Sequence, residues 1–80
     1  MKARVHIYLK PGVLDPQGKA IANALGQLGF DGIGGVRQGK LIEIDLGGIA
    51  REAAHDRVVE MCEKLLANTV IEDYAIELVD

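Results

Sequence analysis

Apolar and polar residues alternate from Ala3 to Lys10. Ala3, Val5, Ile7 and Leu9 fall on one side, and Arg4, His6, Tyr8 and Lys10 on the other. A period of two predicts a half-buried strand, and Pro11-Gly12 ends it. Asp15-Pro16 then has the chemistry of a helix start, with a carboxylate to cap free N–H groups and a proline tolerated in the first turn. Ile21, Ala24, Leu25 and Leu28 follow at helical spacing, and Gly29 is suited to the left-handed residue that closes a helix. A first helix is predicted over about 16–28, weakened intrinsically by Gly18 and Gly26.

A glycine-rich stretch, Phe30 to Gly35, leads into a short segment at 33–38. Ile42, Ile44 and Leu46 then alternate with Glu43 and Asp45. Segments 33–38 and 41–46 are either a hairpin or one long bent strand. After Gly47-Gly48 the period changes to helical: Ala54, Val58, Met61, Cys62, Leu65 and Leu66 form a stripe over about 50–67. Val70 to Val79 reads as a last strand, with Tyr74, Ile76 and Leu78 inward.

The order is β-α-β(β)-α-β within one domain over residues 1–80. It predicts a two-layer α+β fold, an antiparallel sheet with two helices on one face, ferredoxin-like in its hairpin version. The opposite sheet face then carries Arg4, His6, Tyr8 and Lys10 beside Glu43, Asp45 and Glu77. Such a face is either wet or packs on a second copy. Eighty residues make a small domain with little core of its own, so self-association is expected, by contacts around Tyr8.

Composition narrows the chemistry. Hydrophobic residues make up 49% and charged residues 26% of the chain, with a net charge of -3. No apolar run approaches the ~20 residues of a membrane span, and no signal peptide is visible. The single cysteine excludes an internal disulfide, and a reducing cytoplasm is the expected compartment. Residues 1–40 hold six Lys/Arg against two Asp/Glu, whereas residues 41–80 hold three against ten. That acidic balance argues against nucleic acid and suits complementary protein contacts. Arg37 and Lys40, flanking Gly39, are the candidate partner contacts.

Catalytic constellations do not emerge. Cys62 lies on the apolar stripe and reads as a small buried hydrophobe. His6 and His55 have no second donor at ligand spacing, so no metal site is expected. There is no serine, and Thr69 is the only threonine. GIGGVRQG does not fit G-x-G-x-x-G, and neither Gly-Lys pair precedes Ser or Thr as a phosphate loop would require. Neither catalytic nor cofactor-binding residues are expected. The residues read as a domain that organises something else.

Four segments carry a resemblance: VHIYLKPGVLDPQGKAI (Val5–Ile21), LGF (Leu28–Phe30), VRQGKLIEI (Val36–Ile44) and MCEKLLANTVIEDYAIEL (Met61–Leu78). In order and spacing the chain resembles PurS, the small subunit of phosphoribosylformylglycinamidine synthase. The resemblance implies a place in purine synthesis. There an enzyme complex converts formylglycinamide ribonucleotide to formylglycinamidine ribonucleotide with ATP, Mg and glutamine. It implies dimers or tetramers that bridge a glutaminase subunit (PurQ) and a synthetase subunit (PurL), aid to ammonia transfer, and no catalytic residue or bound cofactor in this chain. An ACT-like ligand-binding domain of the same topology is the alternative reading.

Overall fold

The computed structural model describes residues 1–80. Strand β1 spans Lys2–Leu9, helix α1 Pro16–Gln27, strand β2 Gly39–Asp45, helix α2 Arg51–Met61 and strand β3 Glu72–Val79. The strand order is β2-β1-β3, with β1 antiparallel to both neighbours. The two outer strands therefore run parallel to each other, and α2 connects them across β1. The fold class is the expected α+β, with three strands and two helices in β-α-β-α-β order.

The register places the alternation as the sequence requires. Ala3, Val5 and Ile7 sit between Ile44, Ile42 and Lys40 on one side and Leu78, Ile76 and Tyr74 on the other. This inner face receives α2. Ala3, Val5, Ile7, Leu46, Ala54, Val58, Cys62 and Ala67 form the buried core. Fully burying an aliphatic side chain contributes roughly 1.5–3 kcal/mol, so Val5, Ile7 and Val58 are the main anchors of a one-sided core.

Helix α2 ends in a widened turn. Residues Cys62–Leu66 have π-helical geometry, and the Ala67 N–H donates to the Cys62 carbonyl five residues back, at 3.0 Å. Buried positions step by four through Ala54, Val58 and Cys62, then by five to Ala67. A helix of ordinary pitch would have carried Leu65 inward with Met61 and Leu66. The wider turn rotates it out, and Leu65 is 82% exposed.

Two expectations give way. Segment 33–38 is neither a hairpin arm nor part of a bent strand: residues 30–38 join no ladder, and β2 begins at Gly39. Three glycines in 32–35 leave that stretch few side chains with which to pack. Helix α1 does not share the sheet face with α2. Because β1 and β2 are ladder neighbours, the chain returns beside the point where it left, and α1 projects beyond the end of the sheet. No residue of α1 joins the core or packs against it. The molecule measures 49 × 27 × 14 Å with a radius of gyration of 16.0 Å, where a compact chain of this length would have about 12 Å.

Candidate functional site

The groups that could do chemistry are dispersed. Cys62 is buried beside Val58 and Ala67, and its surroundings push the thiol pKa up, the reverse of what a nucleophile needs. His6 lies in the outer-face row between Leu41 and Ala75. His55 is exposed on α2, with Asp56 3.8 Å away. No three His, Cys, Asp or Glu side chains converge as a metal site would require. The N-terminus of α1 does not suit a phosphate, because the Asp15 carboxylate already occupies it.

What the structure does organise is surface and geometry. On the outer face, Arg4 bridges both neighbouring strands: Nε donates to Glu43 Oε2 at 3.0 Å and Nη1 to Glu77 Oε1 at 3.5 Å. That hydrogen bond, with Lys2 nearby, holds the Glu43 carboxyl below its ordinary range. Lys10 Nζ pairs with Asp73 Oδ1 at 2.7 Å, and Arg51 pairs with Asp80. Tyr8, the expected self-association residue, stands on this face between Gly39 and Asp73, partly exposed.

The root of α1 is a dense clasp. Asp15, 8% exposed, accepts the Gly18 N–H on Oδ1 and the Gln38 N–H on Oδ2, both at 2.8 Å. These backbone donors, Gln38 first, hold its carboxyl below the usual aspartate range. Gly18 lies so near the Val36 carbonyl that a Cβ there would sit 2.3 Å from the oxygen. Gln38 Nε2 donates to Gln17 Oε1 at 2.8 Å. Arg37 closes the clasp from the other side, its Nη2 donating to the carbonyls of Leu9 at 2.9 Å and Lys10 at 3.1 Å.

The candidate partner contacts are thus separated in role. Arg37 is an exposed cation as the sequence suggests, and its guanidinium also serves its own chain through the two carbonyls. Lys40 is exposed at the inner-face register position opposite Ile7. The clasp itself was invisible in the sequence. Only the Asp15 cap was legible, since its second partner is 23 residues away.

The remaining surface of note is a groove beside α2, lined by Ile44, Met61, Leu65 and Leu66 and rimmed by Arg57, Glu60 and Lys64. Its volume is about 360 Å³. It opens on the β2 side of the sheet, whose outer edge has no strand partner.

Comparison with known proteins identifies the family. The family model described as PurS, phosphoribosylformylglycinamidine (FGAM) synthase, matches residues 2–80. A PurS subunit of phosphoribosylformylglycinamidine synthase from Synechocystis sp. is 47% identical over 75 residues, 94% of this chain and 75% of the relative. The crystal structure of PurS from Methanocaldococcus jannaschii superposes with a TM-score of 0.85 at 46% identity, covering 99% of this chain and 98% of that one. A chain in the structure of PurLQS from Thermotoga maritima superposes with a TM-score of 0.87 at 29% identity, covering 98% and 95%. The ACT-like alternative gives way to this match. The chain belongs to the PurS family, a subunit of phosphoribosylformylglycinamidine synthase.

Proposed function

We propose that this chain is the non-catalytic adaptor of its synthase complex. It bridges the glutaminase subunit (PurQ) and the synthetase subunit (PurL), which carry out the ATP- and glutamine-dependent amidation of formylglycinamide ribonucleotide in cytoplasmic purine synthesis. The observation that carries the reading is the family match over residues 2–80, joined to a relative whose structure is a PurLQS assembly. The physical gain is geometric. Ammonia released into water is diluted and protonated, whereas subunits held in fixed relation deliver it at high effective concentration. An adaptor needs complementary surfaces rather than a nucleophile, and the chain offers an exposed Lys40, an uncovered outer face around Tyr8 and a groove beside α2.

The adaptor works as a homo-oligomer, with a two-fold dimer as the simplest form. A helix that joins no part of the core and leaves Ile21 exposed, with a core covered from one side, supports this. The test is reconstitution. Omitting this chain abolishes glutamine-dependent activity and leaves much of the ammonia-dependent activity of the synthetase. Equal loss of both activities, or failure to co-purify with either large subunit in the presence of ATP and glutamine, refutes the adaptor reading.

A further inference from the structure

The Asp15 carboxylate serves two stretches of chain with two different oxygens. Oδ1 accepts the Gly18 N–H inside the first turn of α1, and Oδ2 accepts the N–H of Gln38, the residue just before β2, each at 2.8 Å. The first bond is an N-cap, local in sequence. The second crosses 23 residues, and starting a helix does not require it. The residue is 8% exposed, so water is poorly placed to take over either donor if the carboxylate is lost.

The far end of that second bond is itself fastened. Arg37, beside Gln38, donates to the carbonyls of Leu9 and Lys10 at the end of β1. The Lys10 N–H in turn donates to the Ile71 carbonyl at 2.9 Å, just before β3. Through Asp15 the root of α1 is therefore linked to the ends of all three strands. Nothing comparable acts further along the arm: no residue of α1 joins the core, and Ile21 and Leu28 are exposed. The direction of the helix is set at its root.

We propose that Asp15 is a positioning residue whose two oxygens have separate duties: Oδ1 starts α1, and Oδ2 fixes the angle at which α1 leaves the sheet. The inference rests on the bridging reading above and gives it a device. A bridging subunit keeps two surfaces in fixed relation only if the segment carrying one does not swing against the other. Here one surface lies along α1, and the other, with Lys40 and Tyr8, lies on the sheet.

The test separates the two duties in the whole chain. Asp15→Ser keeps a side-chain oxygen for the local Gly18 N–H but is one bond shorter and gives up Gln38; Asp15→Ala gives up both. Gly18→Ala keeps the carboxylate but places a Cβ 2.3 Å from the Val36 carbonyl oxygen and 2.9 Å from Asp15 Oδ2, forcing helix and return segment apart. Circular dichroism reads helicity, residual dipolar couplings read the direction of α1 against the sheet, and hydrogen exchange reads the Gln38 amide. Asp15→Ser and Gly18→Ala are expected to retain helicity while the couplings of α1 depart from the wild-type direction. Exchange at Gln38 quickens by about tenfold or more in Asp15→Ser. Asp15→Ala loses helicity as well. In the reconstituted complex, both Asp15→Ser and Gly18→Ala lower glutamine-dependent activity relative to ammonia-dependent activity. An Asp15→Ser chain whose α1 keeps the wild-type direction overturns the inference and leaves Asp15 a helix cap. A redirected α1 with an unchanged activity ratio overturns the positioning duty. If omitting the whole chain leaves that ratio unchanged, the bridging reading fails instead, and the couplings still decide whether Asp15 sets the angle.

Discussion

The Tyr74 hydroxyl donates to Glu63 Oε2 at 2.7 Å, joining β3 to the widened last turn of α2. The bond is made by the phenol and lost by the phenolate, which would face a carboxylate. The hydrogen bond, with partial burial and the charge of Glu63, accordingly pushes the Tyr74 pKa up to about 12.

The sign of the pH effect follows. A pKa raised on folding contributes stability that is fully present below the unfolded value near 10 and is lost as pH rises through about 12. Wild type should lose stability between those limits, and Tyr74→Phe should lose less over the same range. In a Tyr8→Phe background, where Tyr74 is the only tyrosine, its ultraviolet titration should show a midpoint near 12. A midpoint at 10 would mean that the bond to Glu63 does not persist in solution.

The core predicts an asymmetry between residues of similar hydrophobicity. Ile7 is buried at the centre of the sheet, and Val70 is 81% exposed in the turn before β3. Ile7→Ala should cost about 2–5 kcal/mol, through lost burial and the cavity left behind. Val70→Ala should stay within about 0.5 kcal/mol. Denaturant unfolding of the two variants checks the difference. A comparable cost at both positions would contradict the one-sided core.

How much of this was legible in the sequence depends on the range of the interactions. The Asp15-Pro16 start and the Gly29 stop are local, and α1 occupies Pro16–Gln27 with Gly29 at a φ of +93°. The alternation of β1 and β2 also fixed which residues face α2. The outward position of Leu65 is not legible, because a change in pitch at the end of α2 leaves the apolar period looking intact. The position of α1 is not legible either, because an apolar stripe signals that a helix needs a surface without saying which one. Asp15 with Gln38, and Arg37 with the carbonyls of Leu9 and Lys10, are contacts across 23 to 28 residues with no local signature.

Two glycines of the same arm should respond in opposite directions. A Cβ at Gly26 meets nothing within 4 Å and its backbone is helical, so Gly26→Ala should stabilise α1 by up to about 1 kcal/mol. Gly29 has a φ of +93°, which an L side chain adopts at a cost of about 1–2 kcal/mol, so Gly29→Ala should fray the helix end. Hydrogen exchange along α1 reads both effects. Equal protection in the two variants would mean that the left-handed cap at Gly29 is not kept in solution.

Arg37 and Lys40, three residues apart, should separate docking from architecture. The Lys40 side chain is exposed and makes no ion pair or hydrogen bond within its own chain. Lys40→Glu should leave fold and self-association unchanged. If Lys40 meets an acidic surface of the synthetase or glutaminase, the reversal slows association, most strongly at low salt, because rim charges act chiefly on encounter. Glutamine-dependent activity of the reconstituted complex then falls more than ammonia-dependent activity. Arg37→Glu should behave differently, since it removes two bonds to backbone carbonyls and places a carboxylate beside them. Its defect should appear in the isolated chain, as altered self-association, and should respond little to salt. Binding kinetics of each variant across ionic strength, set beside sedimentation of the chain alone, distinguish the two. A Lys40→Glu chain that binds both large subunits at the wild-type rate at every salt concentration removes Lys40 from the docking surface. The exposed side of α2 around Arg51, His55 and Arg57 would then be the next surface to reverse.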